Sequence, residues 1–313
     1  MNRATAIARY QAADNKQKLA LVIDEQLYDL AAMRAAGINI GEEWSDHGIG
    51  AMLSEWQRYA PELKSGFSEA ERLARGGKLN ALENSAIRVL SPFRPERIFC
   101  AASNYIEHAN EMGTVVAAKA DSKPYMFLKL RNTVIGPGDE IRLPPETSQL
   151  DWEIELAAVI GTAGRRISAA RALDHVAGYS IVNDISARDL NVRGDYPFKF
   201  DWFQGKCHDT FAPFGPWIVP AWSIAEPQAL DMRLTVNGEE MQKDSTRNMI
   251  WTLREQIDYL STVVTLEPGD VIATGTPTGV GMGRGIYLKP GDVVSASIDG
   301  IGTLINTVVA EKI

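Results

Sequence analysis

The segment DWEIELAAVIG at 151–161 constrains the fold more than any other. Asp151, Glu153 and Glu155 alternate with Trp152, Ile154 and Leu156, and an apolar run then leads to Gly161. A period of two puts the three carboxylates on one face of a strand and the apolar side chains on the other. Like charges that close repel one another, and burying them is costly unless something compensates. One way out is a solvated acidic face on an edge strand, or an ordinary Glu-rich helical turn. The other is a hard divalent cation, which takes anionic oxygens and keeps waters that a substrate can displace. The rest of the chain favours the cation.

At 313 residues there is room for one large domain with an appendage, or for two domains. Hydrophobic residues at 45% and charged residues at 23% fit an ordinary soluble globular protein. No run approaches the ~20 apolar residues that span a bilayer. The opening MNRAT has no apolar signal core, and Cys100 and Cys207 are the only cysteines, so the expected compartment is the reducing cytoplasm. Two cysteines also exclude a disulfide framework and a Cys-rich zinc site. A net charge of −8 argues against nucleic acid or an anionic membrane as partner. An anionic substrate must then be captured by locally placed cations or by a metal.

Residues 1–93 read as a separate small module, and 94–313 as the remainder. AIARY at 6–10 and LALVI at 19–23 look like strands across a polar turn, with LYDL at 27–30 a third. Met52, Trp56 and Tyr59 have helical spacing, and SEAE at 68–71 has the capping-box pattern that opens another helix, ended by Gly76 and Gly77. His47, between Asp46 and Gly48, reads as a surface histidine. Pro92 and Pro95 mark the linker.

Beyond it come short strands punctuated by Gly and Pro. RIFCA at 97–101 delivers SNYIEHANE, in which a single helical turn sets His108 beside Glu111. A carboxylate there orients the ring and raises its basicity, as a general base acting on water requires, although a surface ion pair has the same spacing. The polar segment 113–123 follows and is expected to be a mobile lid. PYMFLKL at 124–130 is a strand with Lys129 isolated in an apolar run. Ser168 is expected to cap a helix through Ala177 that Gly178 stops, with His175 structural inside it. YSIVND at 179–184 is then a strand ending in an acid, and a metal shared with Glu153 and Glu155 would give Asp184 a partner. Lys206 follows a glycine among aromatics. There its ammonium can hold a carboxylate or enolate oxygen, or its stem can simply pack on Trp202 at the surface. VNGE at 236–239 signals a type I′ hairpin. TGTPTGVGMG at 274–283 lacks both G-x-G-x-x-G and G-K-[ST], so it reads as a backbone-lined anion pocket with hydroxyls from Thr276 or Thr278.

SNYIEHANEMG, PYMFLKL, DWEIELAAVIG, GYSIVNDISARDL, GKCHDTFAPFGPWIV, VNGEEMQ, LEPGDVIATGTPTGVG and LKPGDVV occur in this order. Together they resemble the fumarylacetoacetate hydrolase superfamily over about residues 96–311, in the manner of its acylpyruvate hydrolase-like members. The resemblance implies an α+β, mostly β fold: a mixed β-roll catalytic domain behind a small N-terminal α/β module, usually dimeric and holding one Mg²⁺ or Mn²⁺. It makes Glu153, Glu155 and Asp184 the metal ligands, His108 and Glu111 the lid dyad, and Lys206 the substrate-binding lysine. Arg188 matches the arginine after the metal aspartate, and Thr276 the threonine that contacts a carboxylate. Cys207-His208 departs from the Ser-Phe of many members. His208 is then expected either to sit in the core or to border the pocket and contact the distal acyl group. Asp151 stands where members vary and is not counted as a ligand.

The implied reaction is metal-dependent C–C hydrolysis of an acylpyruvate or other 2,4-diketo acid. His108 takes a proton from the attacking water, and Lys206 adds positive charge where the enolate or oxyanion forms. The alternative is an isomerase or decarboxylase of a 2-hydroxy-dienedioate or an oxaloacetate-like acid. A non-enzymatic binding protein is the third reading, disfavoured because triad, dyad and lysine are all kept.

Overall fold

The computed structural model describes residues 5–43, 45, 47–83, 85, 87–113 and 117–312. Its centre is the strand pair Ile154–Ile160 and Val176–Asn183, both buried along their whole length. Strands covered on both faces need side chains that are apolar on both, and the run from Leu156 to Ile160 supplies them. Leu156, Ala158 and Ile160 point into one core, and Ala157 and Val159 into the other.

That pair sits mid-way in an eleven-stranded mixed sheet. On one side follow Ala212–Pro220, Ala6–Gln11, Gln17–Ile23 and Gln26–Asp29; on the other, Val271–Ala273, Ile98–Ala102 and Tyr125–Lys129. A second, five-stranded sheet runs Glu239–Ser245, Asp231–Val236, Val293–Ile298, Gly302–Ala310, Glu140–Leu143. Its Leu234, Ala296 and Leu304 share a core with Leu156 and Ile181 of the large sheet. The fold is α+β and mostly β, and its sheets do not close into a barrel. The expected hairpin turn is there: Asn237 and Gly238 have φ of 52° and 84°, the positive pair a type I′ turn needs.

The three N-terminal strands join this same sheet, because Ile7 pairs with Ile218. The helix Trp56–Arg75 packs on the sheet's other face through Tyr59, Leu63 and Phe67, in one core with Ala157, Val159 and Ile218. The expected boundary at 93/94 therefore falls within a continuous sheet. Trp56 stacks on Trp222 at 5.5 Å between ring centroids.

Two expected helix signals are overridden. Ser68 lies inside Trp56–Arg75 rather than opening a new helix, although Gly76 does end it. The expected helix over 168–177 is a short 3₁₀ turn, Ala172–His175, and Val176 already begins the buried strand. Gly178 marks close approach, not a helix stop: a Cβ there would lie 2.5 Å from the Val219 carbonyl oxygen of the neighbouring strand.

Candidate active site

Strand register builds the acidic cluster. Ile154 pairs with Asn183, so Glu153, just before one strand, faces Asp184, just after the other. The Asp184 N–H donates to the Glu153 carbonyl at 2.8 Å, and Asn183 Oδ1 accepts from the Glu153 N–H at 2.9 Å. One carboxylate oxygen from each of Glu153, Glu155 and Asp184 lies within 4.8 Å of the other two, and all three residues are buried. The expected alternation thus delivers both glutamates to one place.

Asp151 stays outside the triad, as expected from its position. Its carboxylate accepts from the backbone N–H groups of Gly281 at 2.6 Å and Met282 at 3.0 Å and pairs with Arg188 Nε at 2.7 Å. Arg188 spans two acids, with Nη2 2.6 Å from Glu153 Oε1.

Lys206 is no surface lysine. Its ammonium lies 2.7 Å from Glu153 Oε2 and 2.9 Å from Asp184 Oδ2, with the residue 2% exposed. The isolated cation of the sequence, Lys129, is equally buried and bonds the other Asp184 oxygen and, at 2.9 Å, the Ile185 carbonyl. In the sequence Lys129 is only an isolated cation with no evident task. A lysine alone in a buried strand needs a carboxylate partner, but which one depends on the strand ends that meet in the fold.

Four carboxylates thus meet three cations, and Glu155 is the odd one. Among the described residues it has no ion pair and accepts only from the Gly275 N–H, at 2.8 Å. Burial, with repulsion from Asp184 and Glu153, pushes its carboxyl well above the usual range. Burial would push Glu153 up too, but Lys206 and Arg188 outweigh it and hold that carboxylate well below the usual range. Burial disfavours the Lys206 ammonium, yet Asp184 and Glu153 keep it charged to unusually high pH. Three clustered oxygen donors, one without a counter-charge, fit a divalent cation. A dication would turn the cluster's single excess negative charge into a single positive one, which a substrate carboxylate could neutralise.

The glycine loop after Val271–Ala273 binds anions, as expected, but the anions are the protein's own. Gly275, Gly279 and Gly281 donate to Glu155, Glu111 and Asp151. The Thr276 hydroxyl donates to the Ile154 carbonyl at 2.9 Å and accepts from Gln242 at 2.9 Å. It lines the cavity, yet its proton is already committed. Gln242 reaches in from the five-stranded sheet and also accepts from the Ile154 N–H; no sequence pattern pointed to it.

His108 and Glu111 share the helix Ile106–Glu111, with Nδ1 3.5 Å from Oε2. The contact is long for a hydrogen bond. Glu111 is better held by the Gly279 N–H, 3.0 Å from Oε2. Of the expected lid, 114–116 lie outside the described residues; Lys119 pairs with Glu255 at 2.8 Å and sits 5.0 Å from the Trp251 ring centroid.

His108, Glu153, Glu155, Arg188, Lys206 and Thr276 all line one cavity of about 570 Å³. His208 does not line it; its ring packs against Phe211 at 5.0 Å, with Nε2 buried and unpartnered. His175 Nδ1 lies 2.9 Å from the Thr162 carbonyl, a structural contact. His47 is exposed, and its neighbour Asp46 lies outside the described residues.

Residues 97–309 match the family model described as fumarylacetoacetate (FAA) hydrolase C-terminal. The human protein named oxaloacetate tautomerase FAHD2A, mitochondrial, is 36% identical over 296 residues, covering 91% of this chain and 92% of its own. Among solved structures, the fumarylacetoacetate hydrolase of Exiguobacterium antarcticum superposes with a TM-score of 0.77 at 34% identity, covering 98% of this chain and 100% of that one. The maleylpyruvate hydrolase of Sphingobium sp. SYK-6, solved with manganese(II) and pyruvate, gives 0.71 at 28% identity with the same coverage.

Proposed function

The chain belongs to the fumarylacetoacetate hydrolase family, and on that premise we propose that it is a divalent-metal-dependent hydrolase of acylpyruvates or related 2,4-diketo acids. The observation that carries the reading is one cavity lined by Glu153 and Glu155 of the buried triad and by His108, with Glu111 behind its ring. Glu153, Glu155 and Asp184 would hold Mg²⁺ or Mn²⁺. When bound, the ion supplies Lewis-acid stabilisation for the charge that develops on the 2-keto oxygen.

The chain's own groups do the rest. Arg188 and Lys206 offset the acids at the inner end of the cavity, so that with a dication held there the cluster would attract a carboxylate. His108 takes a proton from water as its oxygen attacks the distal carbonyl, and Glu111 steadies the imidazolium. The C–C bond to the middle carbon breaks, its electron pair stays there, and that carbon accepts a proton to give pyruvate and a carboxylic acid. Lys206 adds an ammonium beside the developing oxyanion.

A second reading has its own support, the printed name of the human relative. In a tautomerase of an oxaloacetate-like acid, His108 would move a proton at the carbon beside the keto group, with no water consumed. We also propose a homodimer, which light scattering would check. The cytoplasm remains the proposed compartment, and two buried, unpaired cysteines suit it. Among the described residues no helix is long and apolar enough to cross a membrane.

The test is a panel of 2,4-diketo acids and enol-oxaloacetate, followed by ultraviolet absorbance and by pyruvate release, with Mg²⁺, Mn²⁺ or EDTA. Metal-dependent release of pyruvate together with a carboxylic acid from a 2,4-diketo acid supports the hydrolase, whereas pyruvate from oxaloacetate alone is decarboxylation. Enol loss without new pyruvate moves the assignment to the tautomerase, and equal turnover in EDTA rejects both.

A further inference from the structure

Beyond its charged end, the cavity changes character. Lys206 Nζ lies 5.3 Å from the centroid of the Phe127 ring. Phe127 stacks on Trp202 at 4.8 Å, and Trp202 meets Tyr125 at 5.9 Å. These rings form a row from the site lysine to the surface, where Tyr125 is 61% exposed. Facing the same space are Val192 and Phe200, which pair across a small antiparallel hairpin. Arg193 braces that hairpin through Asp195 at 2.7 Å and Asp201 at 3.0 Å. Its root is wedged against the helix that carries Lys206: a Cβ on Gly205 would lie 1.7 Å from Asn191 Oδ1. The wall therefore has a fixed relation to the chemistry.

Solvent-facing aromatics are costly to leave bare, and here they border a cavity whose other end is charged. We infer that the row Phe127–Trp202–Tyr125 and the Val192/Phe200 hairpin form a subsite for an apolar, preferably planar, substrate tail. The substrate is then a 2-oxo acid carrying an aryl or medium-length alkyl group, not a C4 dicarboxylate. This rests on the reading of the charged end as a 2-oxo-acid site. Two observations favour the tail. About 570 Å³ is room for far more than a C4 acid. Outside the charged end, Lys123 is the one cation among the described lining residues, and it is exposed at the rim, where a hydrated ammonium discriminates weakly.

The experiment uses two series with the full-length protein and Mg²⁺. N-substituted oxamates, with substituents from methyl through butyl to phenyl, keep the head constant and do not react; their binding is measured by calorimetry. The matching 2,4-dioxo acids are assayed for turnover. Oxamate affinity should rise by roughly three- to fourfold per methylene until the wall is filled, with phenyl at least as tight as butyl. Phe200→Ser and Val192→Ser should each lower the phenyl-to-methyl affinity ratio by about tenfold. A flat or falling series, or an unchanged ratio in both variants, overturns the tail subsite. So does tighter binding of oxaloacetate than of every tailed oxamate, lost in Lys123→Met. A rising oxamate series without turnover of any dioxo acid keeps the subsite and rejects the hydrolase. Variants that change only the oligomeric state return these side chains to an interface and overturn the subsite.

Discussion

At the scale of single residues, the dyad and the buried lysines carry the sharpest expectations. General-base assistance contributes about 10²–10⁴-fold, so His108→Ala should lower kcat by that factor while an oxalate-like inhibitor still binds. Loss of inhibitor binding in that variant would make His108 a binding residue instead. Burial would raise the Glu111 carboxyl, but the contacts from His108 and the Gly279 N–H outweigh it and keep it ionised below the usual range. Its contribution to stability is therefore complete above its unfolded value of 4.5 and is lost as pH falls through the lower folded value. Thermal melts of Glu111→Gln and wild type should differ by a constant amount near neutrality and converge below that pH. Lys129→Met removes one of the two ammonium groups on Asp184. Breaking a buried pair costs about 3–5 kcal/mol, and Lys206, still 2.9 Å away, keeps the loss toward the low end. The Tm should drop in EDTA and recover disproportionately with Mg²⁺; an equal drop in both would separate Lys129 from the metal site. The acids were legible in the sequence because alternation and strand ends expose their positions. The cations were less so, because a lysine's partner depends on which strand ends meet.

At the scale of elements, the glycine loop shows what pattern reading reaches and what it misses. TGTPTGVGMG announced a backbone that binds anions, and its amides do so, but only the folded chain shows that Glu155, Glu111 and Asp151 fill them. The dyad, the triad's unpaired member and the Arg188 anchor are thereby tied to one segment. Gly279, at φ +99°, would set a Cβ 2.1 Å from the Met241 carbonyl oxygen. Gly279→Ala should cost about 1–3 kcal/mol in backbone strain alone and lower kcat by loosening Glu111. A variant with full activity and unchanged Tm would free the loop from that role. The helix expected over 168–177 failed for a different reason. Its alanines satisfy helix propensity, but Val176–Asn183 is buried between two neighbouring strands, and tertiary pairing outweighs intrinsic preference.

At the scale of the molecule, the large sheet runs from the N-terminal strands to the edge strand beside the cavity. Local pattern gave most strands; their order, with Ala6–Gln11 beside Ala212–Pro220, depends on pairing across some 200 residues of chain and has no local signature. Residues 94–313 expressed alone would bare the edge of Ala212–Pro220 and the core face that meets Tyr59, Leu63 and Phe67. That fragment should aggregate or melt well below the full chain, and a soluble, equally stable fragment would make the first 93 residues dispensable. The row of rings at the cavity mouth has a consequence for how such a protein diversifies. The acids are set by the sheet's register, whereas Val192 and Phe200 hang on a rim hairpin and Tyr125 on an outermost strand. Replacements at the rim leave the register untouched, so descendants can exchange one metabolite for another while keeping the catalytic inheritance intact. Two chains alike across the sheet can then serve different diets, and a handful of rim positions will predict the diet better than overall identity does.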